Sequence, residues 1–136
     1  MRPEDIAAER DEKYVFICLG LNDLVTAKVE KYIKQYWILT DNIKAKSPDK
    51  TIVILSVTPL VAGQQGGNMT NDVINRANSL LLQFAKELNI PFIDWAAAIR
   101  GEDNSLIKDL SSDGYCHLKI EAYNLLVEYL LYHPVR

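Results

Sequence analysis

Cysteine is scarce in this chain, and the two present, Cys18 and Cys116, stand far apart. Neither belongs to a Cys/His spacing of the kind that cages a structural metal, so two free thiols and no metal are expected. Cys18 falls inside an apolar strand pattern, where a thiol behaves as a small hydrophobe. Cys116 adjoins His117, but sequence neighbours rarely aim their side chains at each other, which argues against a Cys-His nucleophile. Long apolar runs are missing as well. The stretch 51–57 is far too short to cross a bilayer, and Met1-Arg2-Pro3-Glu4-Asp5 has no leader-type apolar core. A soluble, unexported, cytoplasmic chain is the expectation. No cluster of Lys and Arg interleaved with aromatics tracks a phosphate backbone, and the net charge is -3, so nucleic acid is not an expected partner. No Gly-x-Gly-x-x-Gly joins a strand to a helix, which excludes the dinucleotide-binding signature. Repeats, low-complexity tracts and linker-like segments are also missing.

What is present suits one globular domain over residues 1–136, with 49% hydrophobic and 24% charged residues. Tyr14-Val15-Phe16-Ile17-Cys18-Leu19 is a short apolar run stopped by Gly20, as expected of a parallel strand buried on both faces. From about 24 to 46, Val29, Ile33, Tyr36 and Ile43 recur at helical spacing and predict one long helix, broken by Ser47-Pro48-Asp49-Lys50. Residues 51–57 form a second β-branched run ended by Thr58-Pro59. Residues 60–69, with Gly63, Gly66 and Gly67, have no period and read as a loop beyond a strand end. A second helix is predicted from capping candidates at 70–72, with Ile74, Ala77, Leu81, Phe84 and Leu88 on one face and Asn89 as its stop. Residues 90–95 are a third strand candidate. After an irregular stretch to Ser112, a closing helix is predicted over 118–132, with Tyr123, Leu126 and Leu130 on one side. Alternating strands and helices at these spacings predict an α/β fold with a parallel three-layer sheet, whose ligands sit at the carboxyl ends of the strands.

Two blocks fall at such ends. In Gly20-Leu21-Asn22-Asp23 the Asn22 carboxamide can donate to an oxyanion developing on an attacked ester carbonyl, an effect worth roughly 3 to 4 kcal/mol where tested. The plainer alternative is a turn and a helix cap. In Ser112-Asp113-Gly114-Tyr115-Cys116-His117 a carboxylate and an imidazole share one loop, the pair that orients and operates a general base in hydrolytic triads. The alternative there is an Asp-Gly turn near a helix start.

Taken together, the two blocks resemble the SGNH (GDSL-like) ester hydrolases, in which a Gly-x-Asn-Asp block follows the third strand and an Asp-x-x-His block precedes the carboxyl-terminal helix. The resemblance runs from Tyr14 nearly to the end. It implies a flavodoxin-like α/β/α fold and assigns Asn22 as oxyanion donor, His117 as general base and Asp113 as its orienting acid. A small-molecule carboxylic ester, such as an acylated carbohydrate, is the implied substrate, and acyl-serine chemistry of this kind needs no cofactor. Two departures stand out. Asp113 precedes His117 by four positions where the family has three, so the loop must bulge by one residue. The family's Gly-Asp-Ser block has no counterpart, because Ser47, Ser56, Ser79, Ser105, Ser111 and Ser112 all follow the asparagine block without a Gly-Asp before them. The chain is therefore expected to be an amino-terminally incomplete family domain, inert alone, whose exposed edge at 14–19 favours a homodimer. A non-catalytic binding module using the same cleft, with residues 63–67 as a lid, is the competing reading.

Overall fold

The computed structural model describes residues 2–26, 28–64 and 69–134, the side chains of 23, 25 and 26 excepted. In chain order the elements are α1 (Pro3–Glu9), β1 (Tyr14–Ile17), α2 (Leu21–Thr26), α3 (Val29–Lys46), β2 (Thr51–Leu55), α4 (Asn71–Glu87), β3 (Phe92–Ile93), 3-10 turns at Trp95–Ile99 and Lys108–Leu110, and α5 (Ile120–Tyr132). The strands form one parallel sheet in the order β1-β2-β3. Tyr14 stands opposite Thr51, Ile17 opposite Ile54, and Ile54 opposite Phe92.

Burial explains the order. β2 is β-branched on both faces, and both Val53 and Ile54 are sealed from solvent, as a central strand requires. Side chains alternate along a strand, so Val15, Ile17, Ile52 and Ile54 share a face and pack with Tyr36 of α3 and Leu81 and Phe84 of α4. Toward the other face, α5 and the Trp95–Ile99 turn close a smaller core of Val61, Ile99, Leu106, Ala122 and Leu126. The result is the three-layer α/β/α arrangement that the alternation of patterns predicts.

Helix α4 follows its sequence signals closely. The Thr70 hydroxyl accepts from the Val73 amide at 3.1 Å, capping the first turn, and Asn89, at φ 54°, turns the chain out of the helix.

Other elements differ from expectation. The polar leader before β1 holds α1, started by Pro3 at the first helical position with Glu4 and Asp5 in the first turn, and Ala7 is buried. Seven residues with so little apolar surface carry no readable period; packing against α3 stabilises this helix. The single helix expected over 24–46 is two, because Lys28 is extended (φ -65°, ψ 152°) and α3 begins anew at Val29. A continuous apolar period cannot report a change of axis. In consequence Asn22 lies inside a helical turn rather than before one. Along α5, which starts at Ile120, the inward residues are Ala122 and Leu126, while Tyr123 is half-exposed. On β1, Tyr14 and Phe16 remain 41% and 47% exposed, so this strand is an edge rather than a strand buried on both faces. The glycine-rich lid candidate falls largely on residues outside those described.

Candidate active site

The carboxyl end of β1 is held by two tyrosines one helical turn apart on α3. The Tyr32 hydroxyl donates to the Leu19 carbonyl at 2.6 Å, and the Leu19 amide donates to the Tyr36 hydroxyl at 3.1 Å. These bonds fix the backbone immediately before Gly20. A Cβ on Gly20 would stand 2.8 Å and 3.0 Å from the Val57 methyls, a clash, so only glycine lets the first strand end lie this close to the second. Val57 is buried and cannot retreat easily: the Asn78 carboxamide accepts from its amide at 2.7 Å and donates to its carbonyl at 3.1 Å. Gly20→Ala is therefore expected to destabilise the fold by about 1 to 3 kcal/mol, the usual cost of overpacking, read as a lowered urea midpoint at unchanged slope.

The segment after β2 is fixed in the same manner. Asn71 accepts from the Leu60 amide at 2.8 Å and donates to the Leu60 carbonyl at 3.1 Å and the Ser105 hydroxyl at 3.2 Å. Two carboxamides seven residues apart on α4 thus replace the ladder bonds that the strand gives up when it ends. The buried Ser56 closes the third corner, accepting from the Trp95 indole through its carbonyl at 2.9 Å and from the Ala96 amide through its hydroxyl at 3.0 Å.

The Asp113-His117 loop organises itself around one carboxylate. Asp113 Oδ1 accepts from the amides of Tyr115 (2.8 Å), Cys116 (3.0 Å) and His117 (3.2 Å) and from the Ser111 hydroxyl (3.0 Å). Its Oδ2 lies 2.5 Å from His117 Nδ1. Gly114, at φ 71°, provides the left-handed turn that the extra residue needs. Ser112 closes the loop by donating to the His117 carbonyl, and Val61 ties it to the β2 side by donating to the Tyr115 carbonyl, each at 2.9 Å. The hydrogen bond with His117, then those from the backbone and Ser111, hold the Asp113 carboxyl well below the usual carboxylate range. An ionised carboxylate only accepts, so the ring proton sits on Nδ1 and Nε2 carries the lone pair. Among the described residues Nε2 has no protein partner.

Asn22 and His117 line the same cleft of about 460 Å³, with Gly20, Val57, Thr58, Leu118 and Tyr123, a volume in the range of small-ligand sites. Asn22 is exposed, and none of the hydrogen bonds among the described residues engages its carboxamide, so its N-H groups are open to a ligand. No serine lines this cleft.

Both cysteines do, and here the sequence reading needs correction. Cys18 lies just past β1 on the cleft rather than within a strand, its thiol directed to the Ser56 carbonyl at 3.9 Å and pushed up to about 11 by desolvation of the sulfur. Cys116 Sγ stands 3.7 Å from His117 Nδ1, so these two neighbours do face each other. The fold still gives no Cys-His nucleophile. The sulfur is on the ring nitrogen that Asp113 already holds, not on Nε2, and burial together with the Asp113 charge raises its pKa. The positioning residues Tyr32, Tyr36, Asn71 and Asn78 escaped the sequence reading; polar groups at i, i+4 or i, i+7 alongside an apolar stripe were their only signal.

A family model, the GDSL-like Lipase/Acylhydrolase family, matches residues 2–134. The chain belongs to this family. No curated protein matches it. Among solved structures, this family member is similar to a Streptococcus pneumonia protein assigned as a platelet activating factor (20% identity, TM-score 0.81, covering 89% of this chain and 59% of that one). It is also similar to a GDSL-like lipase from Bacteroides thetaiotaomicron (20%, TM-score 0.73, 89% and 61%), and to a variant of an acetyl-xylooligosaccharide esterase from Geobacillus stearothermophilus (18%, TM-score 0.67, 88% and 58%). At these identities the likeness is one of fold. The GDSL-like chain spans less than two thirds of each neighbour's length.

Proposed function

We propose that this chain supplies the oxyanion donor and the acid-base pair of a carboxylic ester hydrolase that works through an acyl-serine intermediate. Asn22 donates to the carbonyl oxygen as it gains charge, His117 Nε2 takes the proton of the attacking hydroxyl and returns it to the leaving alcohol, and Asp113 holds the ring and stabilises its cationic form. The observation that carries this reading is the convergence of Asn22 and His117 on one cleft, with the ring nitrogen remote from Asp113 left open. The substrate class is a short acyl ester, and the acetyl-xylooligosaccharide esterase among the structural neighbours favours an acylated carbohydrate over a long-chain lipid.

The sequence contains no Gly-Asp-Ser, so the chain by itself should be nearly inert. The test is turnover of a chromogenic acetate by this chain and by the same chain joined to a Gly-Asp-Ser-bearing segment, each with and without His117→Ala. Turnover should require the joined form and His117 together.

We also propose that β1 pairs with a second copy. One side of its backbone is an open sheet edge, and Tyr14 and Phe16 present aromatic surface beside it. Size-exclusion chromatography with light scattering should find a dimer that a Phe16→Lys change splits; a monomer across the micromolar range would refute the pairing. None of the described helices is long and apolar enough to cross a membrane.

A further inference from the structure

The 113–117 loop holds a third donor that ester hydrolysis does not use. Cys116 Sγ lies 3.7 Å from His117 Nδ1, Asp113 Oδ2 lies 2.5 Å from the same atom, and one ligand atom from each of the three residues falls within 4.8 Å of the others. We propose that Asp113, Cys116 and His117 form a site for a thiophilic transition-metal ion, represented by Zn²⁺, whose binding disables His117 as a base. The second half of this proposal rests on the hydrolase reading; ion binding itself does not.

The donor set decides the class of ion. A thiolate, an imidazole and one carboxylate oxygen suit Zn²⁺ and its borderline-soft neighbours, whereas Ca²⁺ and Mg²⁺ call for oxygen alone. With metal-nitrogen and metal-sulfur bonds of about 2.0 and 2.3 Å, tetrahedral coordination separates N from S by roughly 3.5 Å, near the distance present. Nitrogen and oxygen need roughly 3.3 Å, so the ring and Oδ2 must part by under an ångström. The His117 side chain is 77% exposed and can swing that far. Oδ1, meanwhile, is pinned by three backbone amides and a hydroxyl, so the carboxylate is held in place with Oδ2 as its ligand oxygen. Water completes the fourth position, and the loop is open to solvent, so an ion can enter directly.

The proton count gives the consequence. The metal takes the Nδ1 lone pair, so the ring proton relocates to Nε2, and the Cys116 thiol releases its proton to solvent as the metal-sulfur bond forms. One ion enters and one proton leaves. Nε2 then carries a hydrogen and has no lone pair for an incoming hydroxyl, so an ion bound beside Asp113 would inhibit through the tautomer, without blocking the cleft.

Co²⁺ and Zn²⁺ titrations of this chain test the proposal with no need for turnover. Co²⁺ should develop a thiolate-to-cobalt charge-transfer band that saturates at one equivalent and is displaced by Zn²⁺. Cys116→Ala should abolish the band, Cys116→Ala and Asp113→Asn should each weaken binding at least tenfold, and Cys18→Ala should leave it unchanged. Ring ¹⁵N resonances of His117 should show Nε2 gaining a hydrogen when Zn²⁺ binds. No band, a band that survives Cys116→Ala, one lost with Cys18→Ala, or a ring that keeps its Nδ1 hydrogen would each overturn the site. Because ester hydrolysis is not the readout, these results and the fate of the hydrolase reading are separable.

Discussion

His117→Ala, made in a form that also carries a Gly-Asp-Ser nucleophile, is expected to lower kcat for a chromogenic acetate on the order of 10⁴-fold or more. The argument is geometric. Nδ1 is engaged by Asp113 at 2.5 Å, which leaves Nε2 as the one basic atom facing an empty part of the cleft, and no other histidine or serine lines it. Without that atom the attacking hydroxyl keeps its proton. The substitution should cost little stability, since the His117 side chain is 77% exposed, so folded protein with unchanged substrate affinity and collapsed kcat is the outcome to look for. Steady-state kinetics with a thermal melt of each variant would measure it. Activity that survives the change would eliminate His117 as the base.

Asn22→Ala in the same form should reduce kcat by about 10² to 10³-fold, roughly 3 to 4 kcal/mol of transition-state stabilisation, with KM nearly unchanged. A carboxamide that meets the oxygen only once it bears charge acts on the barrier rather than on substrate binding. Asn22 is exposed, so the fold should tolerate its loss. A rise in KM at constant kcat would instead make Asn22 a ground-state contact and remove it from the oxyanion hole. The two substitutions should also be far from additive if both serve one transition state.

Much of this architecture was legible in the order of residues. β2, α4 with its Thr70 cap and the Asn89 stop, and the parallel succession of strands follow from period, β-branching and turn chemistry acting over a few neighbours. The two blocks that carry the candidate chemistry were legible for the same reason: Gly20 to Asn22 and Asp113 to His117 are contiguous segments next to elements whose periods are strong. Less local features were missed. Helix α1 exists through contact with α3, the break at Lys28 is a change of direction that leaves the apolar period intact, and the inward face of α5 is chosen by Ala122 and Leu126 meeting Ile99 and Leu106.

By itself, then, the sequence determined the layer order, the family resemblance and the identity of a carboxamide, an acid and an imidazole at strand ends, because each depends on interactions between residues close along the chain. Tertiary structure alone decided that Asn22 and His117, 95 positions apart in the numbering, share one cleft, that Tyr32, Tyr36, Asn71 and Asn78 clamp its walls, and that Cys116 turns its sulfur to the imidazole. Those are through-space contacts set by how α3, α4 and the 113–117 loop pack against the sheet, and no periodicity along a chain encodes a distance between elements.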